Sequence, residues 1–81
     1  MNLQLIQGQF EPREAISIIT NMIEIKIRFH EDKIHSLANE EDIEMREKRI
    51  KHLQDELHQV RNYLTDKKSP IVLDSVLNIY G

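Results

Sequence analysis

Between residues 12 and 38 the apolar positions recur every three or four residues, the spacing that builds one face of a helix. Ile16, Ile19, Ile23, Ile27, Ile34 and Leu37 fall in one arc. Ile18, Met22, Ile25 and Phe29 fall in a second arc, about 120° further round. A helix that buries one stripe needs one neighbour, and two stripes require two. The second stripe fades at Asp32 and Ser36, so its neighbour is expected over the N-terminal two-thirds. Ile18, Met22, Ile25 and Phe29 are therefore the expected interface. Within this stretch Ile23, Ile25, Ile27 and Phe29 also alternate with Glu24, Lys26, Arg28 and His30, as in a strand, and isoleucine favours strands. The helical spacing continues beyond both ends of that alternation, and neither Gly nor Pro interrupts residues 13–69. Helix is the stronger reading.

A second periodic stretch follows at once. Ile43, Arg46, Ile50, Leu53, Leu57, Val60 and Leu64 repeat at alternating spacings of 3 and 4, the seam of a coiled coil with one polar position. Asn39, with Asp42 three residues on, predicts a helix start there, and Glu40, Glu41 and Asp42 suit the positive end of its dipole. The corner is short, which favours an antiparallel hairpin of helix 1 (about 12–38) and helix 2 (about 40–65) over one continuous helix. Folding about Asn39 sets Leu37 against Ile43, Ile27 against Leu53, Ile23 against Leu57, Ile19 against Val60 and Ile16 against Leu64. His30 and Arg46 fall in adjacent layers near the corner. Outside the seam, Asp42–Arg46, Glu44–Lys48, Glu47–Lys51 and Lys51–Asp55 are spaced to pair across one turn.

The ends read differently. Residues 2–7 are expected to be extended, Leu3 and Leu5 on one face and Ile6 and Phe10 on the other, with Gly8 marking a turn or bulge. Pro12 suits a first helical position, which makes Glu11 the cap and puts Phe10 where it can pack on the first turn near Ala15. After Ser69-Pro70, residues 71–79 alternate as a strand would, although Ser69 and Pro70 also fit the start of a short helix. Extended structure is the preferred reading. If the hairpin brings its ends together, the two extended segments can pair. They, or a symmetry copy of helix 1, would then cover the second stripe.

An 81-residue chain supports one small domain with a modest core, and there is no cysteine to staple it. Oligomerisation is the natural way to complete such a core, most simply as a dimeric four-helix bundle. With 11 Lys and Arg against 14 Asp and Glu the formal charge is −3, which argues against an extended nucleic-acid surface. No apolar run is long enough to span a bilayer and the first residues do not resemble a signal peptide, so the expected location is cytoplasmic.

Candidate chemistry is sparse. His30 lies on the main stripe, where a neutral imidazole needs hydrogen-bond partners that Arg46 or Glu47 can supply. A polar layer that fixes register is the simplest role for it. Arg28, His30, Glu31 and Arg46 would line a composite ligand site only if two copies closed on one another. Asp32-x-x-His35 and Asp55-x-x-His58 have a spacing found in bundle metal sites, but they lie off the seams, so no metal or other cofactor is expected. Arg46, Lys48, Arg49 and Lys51 form the basic cluster of residues 46–52, spread around the helix rather than along one side. No nucleophile elbow, phosphate loop or zinc-protease motif occurs, no catalytic residue is assigned, and a narrow hairpin leaves no pocket of ordinary ligand size. The sequence thus reads as a mainly α, single helical-hairpin domain over residues 1–81. It is expected to form a homodimer and act by protein–protein interaction. A ligand-binding or enzymatic site near His30, and a nucleic-acid regulator using residues 46–52, are the alternatives.

Overall fold

A computed structural model describes residues 1–36 and 39–81. The order is β1 (Asn2–Phe10), α1 (Pro12–Ser36), α2 (Glu40–Thr65) and β2 (Ile71–Asn78). The helices form a hairpin, and the strands pair antiparallel at its open end as a two-stranded ribbon. The expected end of helix 1 at Ala38, and the Leu37–Ile43 layer, lie outside the described residues. Helix continues unbroken through Ile23–Phe29, so the strand alternative there fails.

Local chemistry accounts for the helix starts. Glu11 caps α1: its carbonyl accepts the Ala15 N–H at 2.9 Å, while its own N–H donates to the Glu14 carboxylate at 3.0 Å. Glu14 is therefore the returning half of a capping box, a role beyond its charge on the dipole. At α2 the Asn39 side chain accepts the Glu41 N–H at 2.8 Å. Asp42 makes no return bond among the described residues. At the far end the Lys67 N–H donates to the Leu64 carbonyl at 3.2 Å, closing the last turn.

The seam is buried in the order the periodicity predicts. Leu53 and Leu64 are buried, and Ile16, Ile19, Ile23, Ile27, Ile34, Ile43, Ile50, Leu57 and Val60 are half-buried. The surface pairs differ from expectation. None of the four spaced Asp/Glu–Lys/Arg pairs closes, and the close acid–base contact made among the described residues is His52 Nε2 to Glu56 Oε1 at 2.8 Å. An exposed pair gains little against the entropy of ordering two long side chains. Arg46 in addition turns inward, away from Asp42.

The ribbon corrects the facial assignment at the N-terminus. The register shifts between Gln4, opposite Val76, and Ile6, opposite Ser75, so Leu5 is an extra residue and the bulge lies there rather than at Gly8. Strand β2 alternates without interruption. Leu3, Ile6, Gly8 and Phe10 therefore oppose Leu77, Ser75, Leu73 and Ile71 on one face. Without the bulge, Leu3 would fall on the opposite face to Ile6 and Phe10. The Gln4 side-chain amide spans the irregularity, donating to the Ile6 carbonyl at 2.8 Å, the Ser75 carbonyl at 3.0 Å and the Asp74 carboxylate at 2.8 Å. Gly8 has φ 155°, a backbone region that residues with side chains rarely adopt.

The backbone spans 47 × 33 × 13 Å, a flattened, elongated shape. Among the described residues the buried apolar side chains are Ala15, Leu53 and Leu64, and no large side chain is fully enclosed. The radius of gyration is 15.4 Å. A compact chain of this length would have about 11.7 Å.

Candidate functional site

Three places concentrate functional potential: the polar layer of the hairpin, the groove beside it, and the cleft between ribbon and α1.

In the polar layer, His30 is 9% exposed and Arg46 reaches it across the seam, Nη1 to Nδ1 at 2.8 Å. A guanidinium only donates, so Nδ1 is the acceptor and the ring proton sits on Nε2. Burial, and then the nearby charges of Arg46, Arg49 and Lys26, push the imidazole pKa below its usual value and favour the neutral form. Phe29 packs edge-on to His30, with ring centroids 5.6 Å apart. The Arg46 guanidinium and the Lys33 ammonium each lie 5.7 Å from the centre of the Phe29 ring. Arg46 Nε is buried and has no hydrogen-bond partner among the described residues. Of the four candidate ligand residues the structure thus joins His30 and Arg46. Arg28 and Glu31 are exposed and make no side-chain hydrogen bond among the described residues.

Beside this layer an open groove of about 440 Å³ runs between the helices. Helix α1 contributes Lys26 and His30, and α2 contributes Met45, Lys48, Arg49, His52, Leu53 and Glu56. The groove is a solvent-open hollow on the hairpin surface, not an enclosed pocket. Sequence reasoning missed how the basic cluster divides. Arg46 enters the seam, whereas Lys48, Arg49 and His52 face the groove with Lys26 from the other helix. The available signal was Lys26 and His30, four residues apart, opposite Met45, Arg49 and His52 at spacings of four and three.

The third place is a cleft of about 590 Å³ lined by Leu5, Ile6, Ile18, Asn21, Met22, Ile25 and Lys26, almost wholly apolar. The bulge turns both Leu5 and Ile6 towards α1. Ile18 and Met22 are consequently half-buried, but Ile25 stays 62% exposed and Phe29 52%. The ribbon covers the first half of the second stripe and not the rest.

No three His, Asp, Glu or Cys side chains converge to hold a metal ion among the described residues. His35, His58, Asp32 and Asp55 are exposed, as are Ser17, Ser36, Ser69 and Ser75. No helix among the described residues is long and apolar enough to cross a membrane. Comparison with family models, with curated proteins and with solved structures finds no match to this chain. What stands is a small helical-hairpin protein with paired terminal strands and, among the described residues, no evident catalytic or metal-holding constellation.

Proposed function

We propose that this chain is a non-enzymatic association module. Two copies pack the surfaces carrying Ile18, Met22, Ile25 and Phe29 against each other as a homodimer with a four-helix core, and the dimer works through contact with other proteins. The observation that carries this reading is the surplus of exposed surface. The chain exposes 6605 Å². A monomeric protein of its mass would expose about 5,100 Å² by the usual scaling. The excess, about 1,500 Å² per chain, would make a two-sided interface of about 3,000 Å², in the range of obligate homodimers. On the proposed interface that surplus is apolar, since Leu5, Ile25 and Phe29 are exposed large apolar residues.

Light scattering across a dilution series tests the proposal. The expected mass is twice 9.6 kDa. Helicity and mass should fall together on extreme dilution, because the single chain lacks a core of its own. A single-subunit mass with full helicity would sink the proposal.

A further inference from the structure

The groove between the helices combines features that the association reading does not use. Its positive groups come from two different elements: Lys26 from α1, and Lys48 and Arg49 from α2. Among the described residues none of the three forms an ion pair, in a chain where acids outnumber bases 14 to 11. At helical spacing, residues 22, 23, 29 and 30 flank Lys26 and residues 45, 46, 52 and 53 flank Arg49, and none of them is acidic, whereas Lys48 has Glu44 four residues before it and shares a surface hollow with Glu44 and Glu47. The groove's one carboxylate, Glu56, is held by His52 at 2.8 Å. Met45 and Leu53 supply an apolar wall between the charges. The proton affinity of His30 is lowered first by burial and then by the charges of Arg46, Arg49 and Lys26, so two of the groove's cations act on the ring beside it.

We propose that this groove binds a small phosphate-bearing anion, its phosphate oxygens held by Lys26, Lys48 and Arg49 and its less polar part lying on Met45 and Leu53. Phosphate is favoured over a single carboxylate because three cations lining one groove suit an anion with several charged oxygens. The planar fork of arginine fits two of those oxygens at once, and the ammonium groups act as point charges. The volume of about 440 Å³ admits a nucleotide-sized molecule. All of the named residues belong to one chain, with Lys26 also lying at the margin of the proposed dimer interface.

Titration calorimetry on the full chain at low salt, with inorganic pyrophosphate and with adenosine monophosphate as probes, tests it. Light scattering on the same samples reports the association state separately. Binding of either probe is expected, weakening as salt rises and falling about tenfold or more in Lys26→Ala and in Arg49→Ala. Lys67→Ala, outside the groove, should leave it unchanged. Both groove residues are exposed, so these variants should fold, which circular dichroism checks. The imidazole resonances of His52 and His30 should shift on addition of the probe and stay still in Arg49→Ala. Three results overturn the proposal: no heat with either probe at about 10 mM, near the limit of meaningful affinity; binding that the groove variants do not alter; or binding of a long single-stranded oligonucleotide with neither small probe bound.

Discussion

Replacing Ile25 by Glu probes the proposed dimer at its centre. Ile25 sits in the middle of the second stripe and leaves 62% of its surface in water. Fully burying an isoleucine is worth about 1.5–3 kcal/mol, so covering the remainder contributes roughly 1–2 kcal/mol per chain. A two-fold interface uses the residue twice, giving about 2–4 kcal/mol per dimer, or a dissociation constant roughly 30- to 1,000-fold weaker when it is lost. A carboxylate placed in that contact without a partner adds to the loss. Glutamate is a good helix former, so α1 itself should survive. The neighbouring Glu24→Ala, exposed and off the stripe, is the control. Sedimentation equilibrium over a range of concentrations reads the outcome directly. Ile25→Glu should shift the monomer–dimer midpoint to much higher concentration, and Glu24→Ala should not. Equal dissociation constants for the two variants would refute the placement of the interface, and a wild-type chain that never exceeds one subunit would refute the interface itself.

Other expectations follow from single contacts. Arg46→Met leaves a buried imidazole acceptor unpaired and should cost about 1–3 kcal/mol in urea unfolding; His30→Leu with Arg46→Leu should recover most of that loss, because both partners become apolar together. Since the folded state lowers the His30 pKa, the unfolded chain binds the proton more tightly. Stability from this group is therefore fully present above about pH 6.5 and falls as the pH drops below it, and the double variant should flatten the slope of the urea midpoint between pH 8 and 5.5. Asn39→Ala removes the cap bond to the Glu41 N–H and should cost about 1 kcal/mol, seen as a drop of several degrees in Tm at fixed concentration. Gln4→Ala removes the amide that spans the bulge; backbone amide exchange should accelerate around Ile6 and Ser75 while the helices stay protected.

The helical seam was legible because every contact it makes is periodic: one spacing in Ile16–Ile27 and one in Ile50–Leu64 suffice to face two helices. His30 and Arg46 were legible for the same reason, as polar interruptions of an otherwise apolar pattern. Strand pairing followed from the meeting of the chain ends once the hairpin was placed. The bulge was hidden, because its cause is a long-range match. Only when Leu77, Ser75, Leu73 and Ile71 lie opposite does the extra residue at Leu5 become necessary. The basic groove escaped for a related reason. Along α2 alone, Arg46, Lys48, Arg49 and Lys51 look scattered. The groove emerges when Arg46 is spent inside the seam and Lys26 arrives from the other helix, and neither event is visible in residues 46–52.

The ribbon offers a partner two unpaired strand edges as well as apolar faces, so the helical stripe needs a reason to prevail as the interface. Edge-to-edge addition needs a straight run of free backbone groups. Strand β1 does not provide one, because the bulge at Leu5 and the unusual φ at Gly8 break its edge within four residues; the uninterrupted edge of β2, Ile71–Asn78, does and stands as the competitor of the stripe. The outer face of the ribbon places Gln4, Gln7, Gln9 and Asp74 among Val72 and Val76, a mixed surface that a second sheet would desolvate at a cost. The stripe on α1 carries no such mixture. Its exposed part, Ile25 and Phe29, is continuous with the half-buried Ile18 and Met22 and with Leu5 and Ile6 across the cleft, with Lys26 and Lys33 at its margin to keep the rim in water. On the proposed reading, a partner that covers Ile25 and Phe29 gains apolar area beside the Lys33 and Arg46 cations, and an identical stripe on a second copy is the partner we propose.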